Sequence, residues 1–153
     1  YLWLLDENEE MKKNINAFVG DRVDLNRIIY AKRLDYPEHL SRIQHTDIAL
    51  DTRIYNGHTT SIEMIQSGIP LVTLKGNHFA SRVSASILET LKIDELITTN
   101  LDDYKETISN LVENKTMRNE IKNTMRVQLK ESNLLDIKLF AESFQKTILK
   151  IFT

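Results

Sequence analysis

Residues 51–63, DTRIYNGHTTSIE, set a histidine, two adjacent hydroxyls and a carboxylate around a single glycine. If this run is a strand end, a tight loop and a helix start, the hydroxyls of Thr59 and Thr60 and the free amides of the first helical turn point at one spot. The helix dipole favours an anion there. His58 adds an imidazole able to donate to a phosphate oxygen. Gly57, directly before it, lets the backbone approach such a group closely. The chemistry this pattern supports is diphosphate binding. Spacing alone supports a capping box equally well, because Thr60-x-x-Glu63 closes a helix start with no ligand.

Residues 36–42, YPEHLSR, form a second candidate. Pro37 is placed to open a short helix, and His39 and Arg42 fall one turn apart on the same face. An imidazole and a guanidinium so placed can stack on a planar base or hydrogen-bond to it. A solvated surface helix is the plainer account of the same residues. His45 and His78 have no partner at metal-ligand spacing and read as surface residues. Asp6, Glu7, Glu9 and Glu10 open a helix, where the dipole favours acids without any metal or acid–base role. Lys75-Gly76 after a strand has the look of a phosphate contact, but neither a P-loop pattern nor Gly-x-Gly-x-x-Gly occurs in the chain. Asp51 and Lys75 at the ends of two strands also fit a receiver-like signalling domain with Asp51 as phosphate acceptor. That alternative leaves Asn-Gly-His-Thr-Thr without a task.

The elements that must position these residues read as α/β. Short apolar runs at 1–5, 27–31, 47–50 and 70–74, with Leu96–Thr98 as a short fifth, are expected as buried strands. Helices at about 8–19, 37–44, 60–67 and 79–91 alternate with them, the pattern of a Rossmann-like parallel sheet with helices on both faces. Loops at the carboxyl ends of such strands, 51–59 and 75–79 among them, are where open sheets of this kind bind ligands. Three of the four glycines, at 57, 68 and 76, fall in this part of the chain. After Asn100 the pattern becomes purely helical, with helices expected at about 102–114, 116–131 and 136–152. The last of these carries Ile137, Phe140, Phe144, Ile148 and Ile151 as an apolar stripe that needs a partner.

With 20 basic and 22 acidic side chains, the net charge of −2 gives no electrostatic reason to expect nucleic-acid or membrane-surface binding. No apolar run approaches the roughly 18 residues of a membrane span. The absence of Cys excludes disulfides, thiol nucleophiles and cysteine zinc sites, and it fits a cytoplasmic protein. The chain opens without Met inside an apolar run, so it is expected to be a piece of something longer.

Taken together, residues 27–88 closely resemble the carboxyl-terminal catalytic lobe of the protein O-GlcNAc transferase family. The shared features are the R-I-I start, E-H-x-x-R, L-D-T, N-G-H-T-T, G-x-P-x-V-T and A-S-R-V. A weaker likeness runs through LWLL at the start and YKE in the helical tail. The resemblance implies one lobe of a GT-B glycosyltransferase of family 41, expected to be bacterial, with residues 1–153 as the nucleotide-sugar lobe and 101–153 as its helical tail. It implies His39 and Arg42 against uracil, Gly57, His58, Thr59 and Thr60 at the diphosphate, and Glu63 at the ribose, where animal enzymes commonly have Asp. Tyr36 stands where those enzymes have a nucleotide-touching Lys, which leaves a degenerate lobe kept as an interaction surface as a further alternative. The resemblance further implies an inverting, metal-independent transfer of GlcNAc or a related hexose from a UDP-sugar, UDP-GlcNAc foremost, to a Ser, Thr or Asn of a protein acceptor. No catalytic residue is assigned within 1–153, because the resemblance puts the acceptor lobe, tetratricopeptide repeats and a diphosphate-neutralising Lys upstream of Tyr1. On that basis the chain alone is expected to be inactive, and its last helix to promote self-association.

Overall fold

The computed structural model describes residues 1–152, which divide into two compact units, residues 1–42 and residues 43 onward.

In the first unit, β1 (Leu2–Leu5) and β2 (Ile28–Ala31) pair in parallel, with Leu2 opposite Ile28 and Leu5 opposite Ala31. Between them runs α1 (Glu9–Val19), which Asn8 caps by accepting the Met11 amide at 2.8 Å. Glu9 and Glu10 occupy its first turn. Asp6 pairs with Lys12 at 2.8 Å and Glu7 with Arg33 at 3.1 Å, so the four acids serve a helix start and its ion pairs. The Tyr30 hydroxyl donates to Asn16 Oδ1 at 2.8 Å and ties β2 to α1. α2 (Tyr36–Ile43) ends the unit. The two strands are not buried as the sequence leads one to expect: Ile28 is the one buried residue here, and Leu2, Trp3, Leu5 and Ile29 stay 37–41% exposed. Forty-two residues hold too little chain to cover both faces of a ribbon.

The second unit is built on β3 (Ala49–Leu50), β4 (Leu71–Leu74) and β5 (Ile97–Thr98), all parallel with β4 in the middle. β4 is buried at Leu71, Val72 and Thr73, as a strand covered on both faces must be. α3 (Thr59–Gln66), α4 (Val83–Thr90) and α5 (Leu101–Glu113) all contact it. Ile65, Leu88, Leu91, Leu96 and Leu111, each no more than 1% exposed, form the centre of the core. Gly68 ends α3 with φ of +73°, a backbone that a side chain resists.

Two expected elements are trimmed. The strand at 47–50 shrinks to two residues. The helix at 79–91 breaks into a 3-10 turn at Phe79–Ser81 followed by α4. Ser81 organises that break: its amide and hydroxyl donate to the His78 carbonyl at 3.1 and 3.0 Å, while its own carbonyl accepts the Gly76 amide at 2.9 Å.

The tail is helical as expected. Asn100 caps α5 by accepting the amides of Asp102 and Asp103. Asn114 ends α5 and caps α6 (Lys115–Glu131), which buries Ile121 and Met125. α7 (Ile137–Phe152) buries nothing; Ile137, Phe140 and Ile151 are 81%, 68% and 68% exposed. No helix among the described residues is long and apolar enough to cross a membrane.

Candidate functional site

α3 begins at Thr59, with His58 in the capping position but making no side-chain capping bond. Thr60 is therefore the second helical residue rather than the cap, and the Thr60–Glu63 capping box does not form. The Ile62 amide reaches the His58 carbonyl at 3.2 Å. The amides of Thr59, Thr60 and Ser61 precede it, with no intrahelical acceptor available to them. Thr59 and Thr60 are exposed beside these donors, whereas Ser61 is buried. Such a helix start attracts an anion.

Gly57 is required by space rather than by φ. A Cβ there lies 2.5 Å from Ser61 Oγ and 2.6 Å from Thr60 Oγ1. Ser61 is itself buried, with its hydroxyl 2.9 Å from that of Ser84, which also donates to the Gly57 carbonyl at 3.3 Å. These bonds pin the loop to the start of α4. Asn56, 1% exposed, donates its backbone amide to the Ala80 carbonyl at 2.8 Å and its side-chain amide to the Thr52 carbonyl at 3.2 Å. Loops 51–59 and 75–81 are thus joined at the carboxyl ends of β3 and β4. Among the described residues, nothing meets Asn56 Oδ1 or His58 Nε2, both sealed from solvent. The His58 ring stacks on Tyr55 at 5.2 Å and meets Phe79 edge-on at 6.0 Å.

The organiser of this loop is Asp51, which the sequence alone offers as a phosphate acceptor. It is 7% exposed. Its Oδ1 accepts the amides of Thr52 at 3.0 Å and Gly57 at 2.8 Å, and Oδ2 accepts the Thr73 hydroxyl at 2.6 Å. Three donors satisfy a buried carboxylate. Buried and held by these donors, Asp51 serves the structure of the loop. From α5, the Tyr104 hydroxyl donates to the Asp51 carbonyl at 3.0 Å. Burial, with the Asp51 charge beside it, pushes the Tyr104 hydroxyl up to about 12, so it remains a donor at neutral pH.

Glu63, one turn into α3, is 8% exposed. Beside the loop, an open cleft of about 290 Å³ lies over the ends of β4 and β5, lined by Arg53, Lys75, Gly76, His78 and Thr99 among others. Lys75 is paired with Glu89 at 2.5 Å. His45 and His78 are exposed, as their lack of partners in the sequence implies. No group of three or more His, Cys, Asp or Glu among the described residues stands ready to hold a metal ion.

His39 and Arg42 belong to the first unit and form a pair of their own. Arg42 Nη1 donates to the Lys32 carbonyl at 2.7 Å, and Nη2 lies 3.3 Å from His39 Nδ1. A guanidinium only donates, so Nδ1 accepts and the imidazole hydrogen sits on Nε2. Arg42 thereby fixes both the tautomer and the tilt of the ring. Tyr36, at the start of the same helix, is 59% exposed.

A parallel α/β chain with an uncapped, glycine-led helix start and a helical tail has the form of one lobe of a GT-B glycosyltransferase. Its fold matches that of an O-GlcNAc transferase mutant from Thermobaculum terrenum with a TM-score of 0.88 at 24% identity, over 96% of this chain and 29% of that one. The chain belongs to Glycosyl transferase family 41, whose family model matches residues 1–144. A Caenorhabditis elegans relative named UDP-N-acetylglucosamine–peptide N-acetylglucosaminyltransferase is 35% identical over 104 residues. That match covers 67% of this chain and 9% of the relative, so the chain corresponds to a small part of the proteins it resembles.

Proposed function

We propose that the chain is the donor-binding part of a protein glycosyltransferase that takes a sugar from a uridine diphosphate sugar. The observation that carries this reading is the uncapped start of α3, presented by a glycine that tolerates no Cβ and held in place by Asp51. In it, the amides of Thr59–Ser61 and the hydroxyls of Thr59 and Thr60 hold the diphosphate, with Gly57 giving room for the approach. His58 contributes through Nδ1, because Nε2 is sealed behind the neighbouring rings. Glu63 meets the ribose.

The chemistry is substitution at the anomeric carbon. A Ser or Thr hydroxyl, or an Asn amide, of an acceptor protein attacks from the face opposite the diphosphate, the bond to the β-phosphate oxygen breaks, and the configuration inverts. Negative charge grows on the departing diphosphate, where fixed amide dipoles stabilise it without reorganising. Amides and hydroxyls supply that compensation in place of a metal ion. Acceptor positioning and removal of the nucleophile's proton fall to the rest of the protein, comprising an acceptor lobe and tetratricopeptide repeats. N-acetylglucosamine is the sugar that the relative's name favours.

Calorimetry with uridine and with uridine diphosphate tests the reading. Replacing Thr59 and Thr60 together by Val is expected to weaken diphosphate binding about tenfold or more and uridine binding less than twofold, the loss of two charge-assisted bonds. EDTA is expected to change neither. Equal losses for the two ligands return α3 to a purely structural role, and loss of binding in EDTA assigns a metal.

A further inference from the structure

Resting on that reading, we infer that Asp51, Thr73 and Tyr104 are positioning residues for the donor diphosphate: a buried brace that sets the Gly57–Thr60 backbone without touching the ligand. β3 ends at Leu50, so the ladder stops short of the loop that carries the site. Beyond it, the last ladder-type bond is Asp51 N–H to the Val72 carbonyl at 3.0 Å. From there to Thr59 the loop is held by side chains and by a single backbone bond, Asn56 N–H to the Ala80 carbonyl at 2.8 Å. Asp51 joins three separate pieces: Thr73 from the middle of the sheet, Tyr104 from a helix 53 residues further along the chain, and the Gly57 amide at the end of the loop.

The direction of each bond matters. Gly57 N–H is turned inward to Asp51 Oδ1, which sets the Asn56–Gly57 peptide plane, while the Gly57 carbonyl accepts the Ser84 hydroxyl, so the entry of the chain into α3 is held from both sides. Thr73 holds the other carboxylate oxygen at 2.6 Å and prevents the carboxylate from rotating away. Tyr104 fixes the carbonyl of the same residue, so both the backbone and the side chain of Asp51 are anchored. A diphosphate site made of amides depends on their orientation to within a fraction of an ångström, because charge-assisted bonds weaken steeply off line. Loosening the brace therefore degrades phosphate recognition before it degrades anything that recognises the base.

The test compares Tyr104→Phe, Thr73→Val, Thr73→Ser and Asp51→Asn with the native protein, well below each melting temperature, with uridine and uridine diphosphate as probes. Thr73→Val is expected to weaken diphosphate binding about tenfold and Tyr104→Phe about threefold to fivefold, with uridine within twofold. Thr73→Ser, which keeps the hydroxyl, stays within twofold of native for both probes. Exchange of the Gly57 amide hydrogen is expected to quicken in Thr73→Val and Tyr104→Phe while amides of β4 keep their protection. Thr73→Val and Tyr104→Phe proteins that weaken both probes alike, or neither, overturn the brace. A native protein that binds uridine diphosphate no better than uridine overturns the diphosphate reading and this inference with it. Native selectivity that survives every variant overturns the inference alone.

Discussion

Gly57→Ala isolates the close packing that lets the loop turn into α3. The added Cβ would lie 2.5 Å from Ser61 Oγ, 2.6 Å from Thr60 Oγ1 and 3.4 Å from the Ser61 nitrogen. The exposed Thr60 side chain can rotate away at little cost. Ser61 has no such freedom, since it is 2% exposed and its hydroxyl is engaged with Ser84. Relief requires that hydroxyl to leave its partner, costing about 1 kcal/mol, with overpacking adding about 1 kcal/mol more. About 2 kcal/mol corresponds to a melting temperature lower by about 4–8 °C in a chain of this size. Because Thr60 and the Ser61 amide are displaced together, uridine diphosphate affinity is expected to fall about tenfold, with uridine affinity little changed. Differential scanning calorimetry and titration calorimetry read the two effects. The double variant Gly57→Ala with Ser61→Ala removes the closest clash and should recover at least half of the lost melting temperature, a coupling that a double-mutant cycle measures. A single variant that melts within 1 °C of native, or a double variant that melts lower than the sum of the singles, refutes the steric argument.

Arg42→Lys is expected to lower the melting temperature by about 2–4 °C, because an ammonium cannot hold the Lys32 carbonyl and the His39 ring in one plane. A variant that melts within 1 °C of native shows that the guanidinium does not brace α2. The uncovered stripe on α7 predicts concentration-dependent self-association of the 153-residue chain by sedimentation, abolished by Phe140→Lys with Phe144→Lys. A native chain that remains monomeric at high micromolar concentration contradicts this.

The strand–loop–helix around Gly57 is legible in the sequence because its signals are local: an apolar run, a turn residue and helix-starting hydroxyls within a dozen positions. Asp51 is visible as a carboxylate at a strand end, yet its task is not, since two of its partners, Thr73 and Tyr104, lie 22 and 53 residues away and no periodicity announces them. The capping box also fails. Thr-x-x-Glu satisfies the spacing two residues too late, since the helix starts at Thr59 with His58 in the capping position. Likewise, the expected helix at 79–91 has an unbroken helical pattern, and only the contact between Gly76 and Ser81 shows why the chain must first make a tight turn. Composition overstates the burial of β1 and β2, since an apolar run reports a preference for cover and not the chain that provides it.

The loop from Asp51 to Gly57 is anchored at its ends and exposed at its tip. Asp51, Asn56 and Gly57 are buried or half-buried and bonded to the sheet and to α4, whereas Ile54 and Tyr55 are 65% and 64% exposed. Ile54 even holds φ of +77°, a conformation that a β-branched residue adopts only under constraint. Sequence change at the tip therefore reshapes the wall beside the helix start without disturbing the amides that face the anion. Such a division makes residues 53 and 54 a natural place for diversity: a library randomised there, with Asp51, Tyr55, Asn56 and Gly57 held constant, would vary what is recognised next to the phosphates while keeping the ring that stacks on His58 and the bonds that hold the helix start.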